Sequence, residues 1–326
     1  MTLDSKTFQD KVATLRNRFN SALRNYHLSD QPNYLYDPIR YVLKGEGKRL
    51  RPILVYLVGS VYNADDSDLI NAGLAAELLH NFTLVHDDIM DQDEFRHGQL
   101  TIHKKWDEST AILAGDGIYA IAQLFITEVK INQLHAVKAF NKATLFVCEG
   151  QAYDKEFEHN HSITLDNYLL MIEKKTGWLI GLCAELGGIL GNQDLKTIDQ
   201  LHRYGLNLGN AFQIQDDIFE IFSDDKAMGK SLGSDIVSGK QTILSILARA
   251  ADPDGWDKTW NKIQKLNLSG SIDYLRSYLV DLDVLDEASQ LAKQYIEAAK
   301  RDLTIIPVKK RVWLECFTEV VLNRKK

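Results

Sequence analysis

The sequence predicts an all-α protein, and three observations carry that expectation. Only five of its 326 residues are proline, and none lies between Pro52 and Pro253. Proline breaks helix interiors, and a proline-free stretch of that length leaves room for many long helices. Apolar residues recur three and four apart along most of the chain. Runs of β-branched alternation bounded by turn residues are scarce.

Taken in order, the spacing predicts helices over 10–28, 34–44, 50–63, 66–91, 107–130, 134–157, 164–190, 194–222, 239–251 and 285–303. The breaks carry turn chemistry: Asn63-Ala64-Asp65-Asp66, Gly191-Asn192 and Asp252-Pro253-Asp254-Gly255. Residues 252–271 are the most loop-like part. The remaining C-terminal stretch is too short for an independent core, so a single domain over 1–326 is expected. The least polar run, Thr176 to Gly191, is interrupted by Glu185 and is short of a membrane span. It reads as a helix buried on most sides of a bundle, and no transmembrane segment is expected.

Composition narrows the function. Lys and Arg number 38 against 45 Asp and Glu, a formal net charge of −7, and 45 % of residues are hydrophobic. That apolar content excludes a disordered chain. The charge argues against a nucleic-acid partner held by a basic surface. Three cysteines, far apart, suit neither a zinc site nor a disulfide framework and fit a reducing, cytoplasmic compartment. The first twenty residues lack the apolar core of a signal peptide.

Two carboxylate clusters carry the chemistry. His86-Asp87-Asp88-Ile89-Met90-Asp91 closes an apolar helix, with Asp87 and Asp91 four apart on one face and Asp88 beside them. Negative charge is unfavourable at a helix C-terminus, so something must offset it. Phe212-Gln213-Ile214-Gln215-Asp216-Asp217-Ile218-Phe219-Glu220 repeats the design, with Asp216 and Glu220 four apart. One such cluster is compatible with a solvated face. Two, each embedded in an apolar helix, point to hard divalent cations. Mg²⁺ is commonly held by one or two carboxylates plus substrate phosphates, which suggests a Mg²⁺-diphosphate site. An EF-hand fails, because Phe95 stands where an oxygen ligand is needed and the loop glycine is missing.

A diphosphate also needs cations. Gly45-Glu46-Gly47-Lys48-Arg49-Leu50-Arg51-Pro52 supplies three at a predicted helix start, without the spacing of a Walker P-loop. The ordered set of motifs is more specific than any member. Gly47-Lys48-Arg49-Leu50-Arg51-Pro52, Asp87-Asp88-Ile89-Met90-Asp91, Arg96 before Gly98, Gly150-Gln151, Lys175-Thr176, Phe212-Gln213 before Asp216-Asp217, Gly229-Lys230 before Gly233-Ser234-Asp235, and Gly239-Lys240 resemble the trans-isoprenyl diphosphate synthase family over about residues 45–245.

The resemblance implies a helical bundle around a deep central pocket, with the two aspartate-rich helices facing across its mouth. It implies an enzyme that joins isopentenyl diphosphate to an allylic prenyl diphosphate, with Mg²⁺ as cofactor and a homodimer as the assembly. Carried over by residue, Asp87, Asp88, Asp91, Asp216, Asp217 and Glu220 correspond to metal ligands. Arg96, Lys175, Lys230 and Lys240 correspond to contacts to the allylic diphosphate. Gln213 lies near that site and Thr176 beside the reacting carbons, so Lys175, Thr176, Gln213 and Lys230 form the catalytic group. Lys48, Arg51 and His80 correspond to the isopentenyl diphosphate site.

Two departures matter. The family usually has two arginines before the glycine; here they are Arg96 and His97. His97 is only partly charged near neutrality and makes no bidentate contact, so weaker isopentenyl diphosphate binding is expected. Glu220 stands where aspartate is usual. Arg49 reads as a helix-surface or interface residue, and His86 as a packed core histidine. The leading reading is a short-chain prenyl elongase. A class I prenyl-diphosphate enzyme with altered coupling or cyclisation, or a non-catalytic regulatory subunit, are the alternatives. Phe82 and Thr83 lie one turn before the aspartates, where the wall beneath the mouth is expected. An aromatic ring there is typical of short-chain members. With threonine beside it, it favours geranylgeranyl diphosphate as product, with farnesyl diphosphate the alternative.

Overall fold

The structure is a computed structural model and describes residues 5–223 and 239–322. Its first part runs α1 (Ser5–Asn25), α2 (Asn33–Leu43), α3 (Leu50–Val61) and α4 (Asp66–Met90). A two-stranded hairpin comes next, β1 (Phe95–Arg96) against β2 (Gln99–Leu100), then α5 (Ile102–Lys105), α6 (Glu108–Thr127), α7 (Gln133–Phe157) and α8 (Leu165–Ile172). One π-helical turn, Glu173–Gly177, joins α8 to α9 (Trp178–Leu190). After α10 (Leu195–Phe222) come α11 (Ile243–Ala251), α12 (Pro253–Ile263), α13 (Leu268–Asp281), α14 (Val284–Asp302) and α15 (Val308–Leu322).

Capping residues set the starts of the two long site helices. Asp65 accepts from the backbone N–H of Ser67 and Asp68 to open α4, and Asp194 accepts from Thr197 N–H to open α10. α4 packs along α6 and α3; α10 packs along α9 and α14. The larger hydrophobic cluster fills the space among α1, α3, α4, α6, α7 and α9. A second cluster lies among α8 and α11 to α14. α10 passes from one to the other: Leu201, Tyr204 and Leu208 belong to the first, Ile214 and Ile221 to the second. Asp216 and Asp217 therefore sit where α10 enters the second cluster.

The all-α expectation holds, with corrections. Residues 252–271 are mostly helical, not loop: α12 spans Pro253–Ile263 and α13 starts at Leu268. Asp252 caps α12 through Gly255 N–H, and Pro253 takes the first helical turn, where its missing N–H costs nothing. α15 was not expected. Leu314, Phe317 and Val321 bury one side of it. The predicted helix over 164–190 is interrupted by the π turn. α9 is buried on most sides, as expected. Among the described residues, the helix long and apolar enough to cross a membrane is α6, not the 176–191 run, and 44 % of its apolar window is buried within this chain.

Candidate active site

At the end of α4, two of the three aspartates are held by cations. Arg96 donates through Nε to Asp88 Oδ1 at 2.8 Å and through Nη2 to Asp93 at 2.9 Å. The hairpin aims Arg96 there: its turn residues His97 and Gly98 have φ 51 and 76, the left-handed pair that closes a two-residue hairpin. Lys240 donates to Asp91 Oδ2 at 2.7 Å, and Lys155 Nζ lies 3.5 Å from Asp91 Oδ1. Burial opposes ionisation of Asp91, but Lys240, Lys175 and Lys155 outweigh it and hold the carboxyl below its usual range. Asp87 goes the other way. Burial raises its pKa, Asp91 and Asp154 add to the rise, and Lys175 only partly offsets them.

The π turn, packed between α7 and α10, carries Lys175 and Thr176. Such turns insert a residue into a helix and often mark functional sites. Gly150 on α7 makes room for it, since a Cβ there would stand 2.2 Å from Lys175 N. Lys175 donates to Asp154 at 2.6 Å. Burial acts against its charge, and Asp154 and Asp87 more than compensate. Thr176 donates to Gln213 at 2.9 Å, and Gln213 donates to Asp217 at 3.0 Å.

On α10, Asp217 is buried and receives three neutral donors. Gln213 holds one oxygen; Tyr168 O–H at 2.8 Å and Ile243 N–H at 3.1 Å hold the other. Burial pushes its carboxyl up to about 6, despite those hydrogen bonds. Asp216 and Glu220 are half-buried on the same helix. Lys230 lies outside the described residues.

The basic residues form a separate cluster around His80. Desolvation lowers the pKa of His80 well below its ordinary value, and Arg51, Arg96, His97 and Arg49 push in the same direction. His97 is lowered too, by desolvation and then by Arg96, Arg49 and Lys48. Residues from the 45–49 loop, the start of α3, α4 and the hairpin thus crowd positive charge into one place. Arg49 is not a surface residue: it is 5 % exposed and pairs with Glu77 at 2.7 Å.

Phe82 packs against His86 at 4.7 Å and Tyr119 at 5.1 Å between ring centroids, and Tyr119 faces Phe140 in turn. His86 is half-buried in this aromatic wall. Thr83 turns its hydroxyl to the His80 carbonyl at 2.8 Å. Two surface hollows, of about 520 and 240 Å³, lie against Asn132–His135 with Lys138 and against Leu23–Leu28 with Arg40, Leu43 and Lys44, and neither is lined by an aspartate of either cluster.

Sequence reasoning missed Asp154, Lys155 and Tyr168. Asp154 had a signal: it lies three residues after Gln151 on the same buried face of α7. Among the described residues, no three carboxylate, histidine or cysteine groups gather at metal-ligand spacing. The donor chemistry nonetheless fits a hard cation. Asp91 Oδ1 is buried with only the long 3.5 Å approach of Lys155 beside it among the described residues, and Asp87 stands among like charges that a divalent ion would relieve.

Residues 32–276 match the family model described as Polyprenyl synthetase. The chain is 36 % identical to the geranylgeranyl pyrophosphate synthase of Geoglobus acetivorans, over 93 % of each protein. It is 33 % identical to the geranylfarnesyl diphosphate synthase of Natronomonas pharaonis, over 89 % of this chain and 95 % of that one. The crystal structure of a polyprenyl synthase from Caulobacter crescentus CB15, complexed with calcium and isoprenyl diphosphate, superposes with a TM-score of 0.87 at 25 % identity, covering 100 % of this chain and 99 % of that one.

Proposed function

The chain belongs to the polyprenyl synthetase family, and on that premise we propose that it condenses isopentenyl diphosphate with an allylic prenyl diphosphate to give geranylgeranyl diphosphate. It is a short-chain prenyltransferase. The observation that carries the fuller reading is the pairing of opposites around α4: an acidic face with Asp87 and Asp91, and a basic cluster around His80. The two diphosphates call for those two environments.

Asp87, Asp91 and Asp216 would hold Mg²⁺, with Glu220 as a further oxygen donor. Asp88 and Asp217 orient Arg96 and the Thr176–Gln213 chain in the same design. Bound there, Mg²⁺ supplies charge neutralisation on the leaving oxygens of the allylic diphosphate. Lys175, Lys240, Arg96 and Lys230 contribute permanent cations to the same oxygens. Thr176 and Gln213 flank the reacting carbons. The apolar wall excludes water that would quench the allylic cation. Lys48, Arg51, His80 and His97 hold isopentenyl diphosphate while its double bond attacks. The proton released afterwards passes to the departed diphosphate, so no strong protein base is required.

The Phe82–Tyr119–Phe140 wall supports the product assignment. Two large rings in contact beneath Asp87 would stop chain growth. Phe82→Ala tests this: with labelled isopentenyl diphosphate, the variant is expected to stay active and make longer chains. An unchanged product distribution with only lost stability, about 3–5 kcal/mol for a truncated core phenylalanine, would place the floor elsewhere.

Homodimerisation belongs to the same proposal. The outer face of α6 exposes Ile112, Leu113 and Leu124, and α7 exposes Leu134 and Leu145. Burial against a second copy would remove that apolar surface from water, and sedimentation measures it. The free cysteines Cys148, Cys183 and Cys316 support a cytoplasmic setting.

A further inference from the structure

Arg49 lies between Lys48 and Leu50, with φ 51 and ψ 37. That left-handed conformation is unfavourable for a residue with a long side chain. Such positions persist where surrounding contacts over-determine them. Here the contacts come from three directions. The guanidinium donates to Glu77 Oε1 on α4 at 2.7 Å, to Asn20 Oδ1 on α1 at 2.8 Å, and to the Gly45 carbonyl. Gly47 lies against it, since a Cβ there would stand 3.4 Å from Arg49 Nη1. The loop is wrapped around its own arginine.

The same residue starts α3. Its carbonyl accepts from Ile53 N–H at 3.2 Å, closing the helical turn that carries Arg51. Glu77 in turn precedes His80 by three residues on α4. One buried ion pair therefore ties the segment bearing Lys48 and Arg51 to the helix bearing His80. A buried pair of this kind is weak evidence for stability, because desolvation offsets much of its attraction. Its contribution is geometric.

We propose that Arg49 and Glu77 are positioning residues for isopentenyl diphosphate: their buried pair fixes Lys48 and Arg51 in register with His80. This deepens the isopentenyl site assigned under the proposed function and rests on it. Neither residue touches the ligand. Each acts through the backbone it holds.

The test is the double variant Arg49→Met/Glu77→Leu, which replaces the pair by apolar side chains of similar volume. Such replacements are often neutral or stabilising, so the melting temperature is expected to stay near that of the wild type. Calorimetric titration with isopentenyl diphosphate is expected to show a dissociation constant raised about tenfold or more, the loss of a charged hydrogen bond, while the KM for the allylic substrate is unchanged. Arg49→Lys is measured beside it. It keeps the charge and fold, but one ammonium cannot hold Glu77, Asn20 and Gly45 together, so a smaller rise is expected. Wild-type affinity in both variants would overturn the proposal. A wild type that does not bind isopentenyl diphosphate at all would overturn the functional reading beneath it, so the two failures are distinguishable.

Discussion

On α4, Asp88 and Asp91 are held by cations, Arg96 and Lys240. On α10, Asp217 is held by neutral donors, Tyr168, Gln213 and the Ile243 N–H. The spacing of the two clusters is the same and the consequence differs. A cationic partner favours the ionised carboxylate and can be traded for a metal ion. Inside an apolar cluster neutral donors do not outweigh burial, and the Asp217 carboxyl is pushed up to about 6. Spacing thus nominates carboxylates as a group, and surroundings divide them into those paired with cations and one held by neutral donors.

The largest expected effect breaks the first cluster. Asp87→Ala is expected to lower turnover by about 100-fold or more, the scale seen when one group that stabilises developing charge is lost, with the circular dichroism of the folded protein unchanged. A loss below tenfold would mean that Asp87 is not at the reacting end.

The next effect tests the second cluster as an anchor. The folded pKa of Asp217 lies above its ordinary 3.8. Its stabilising contribution is therefore full below about pH 4 and is lost as pH rises through about 6. Relative to Asp217→Asn, which does not titrate, the wild type is expected to lose up to about 3 kcal/mol between those limits. Thermal melts of both proteins across pH 4–8 measure it; a constant difference would contradict the assignment.

The basic side of α4 offers a smaller effect. His97 is held below its ordinary pKa, so it is mostly neutral at pH 7. His97→Arg adds a permanent charge and a forked donor, together worth about 1.5–3 kcal/mol. The KM for isopentenyl diphosphate is expected to fall about tenfold, with the allylic KM unchanged. A higher KM would place His97 outside the diphosphate site.

Smallest is Glu220→Asp, which makes the third position of the two clusters identical. The expected change in turnover is within about threefold, under the 1.36 kcal/mol that a tenfold change represents. A larger change would give α10 a role for its third carboxylate that α4 does not mirror.

Much of the fold was legible in the sequence. Helices α3, α4, α7 and α10 are readable from apolar spacing, α7 and α10 because they bury one stripe and α3 and α4 because their runs are apolar enough to be buried on most sides. α12 was not, since Asp252-Pro253 signals both a turn and a capped helix start, and only packing decides between them. Arg49 looked like surface, because its partners Asn20 and Glu77 are 29 and 28 residues away. Asp154 and Tyr168 were missed for the same reason: Lys175 is 21 residues from Asp154, and Asp217 is 49 from Tyr168. Local patterns reveal faces of helices; they do not reveal which faces meet.

With Mg²⁺ on Asp91 as proposed, the Lys240–Asp91 pair would make the site behave like an ion exchanger. A carboxylate that turned to a divalent ion would give up its ammonium, which would then be available to a phosphate oxygen. A phosphate that takes the cation leaves a carboxylate to be filled. Each ligand would then prepare the place of the other, so the two are expected to bind more tightly together than either does alone. By thermodynamic reciprocity, the factor by which magnesium raises affinity for the diphosphate equals the factor by which the diphosphate raises affinity for magnesium.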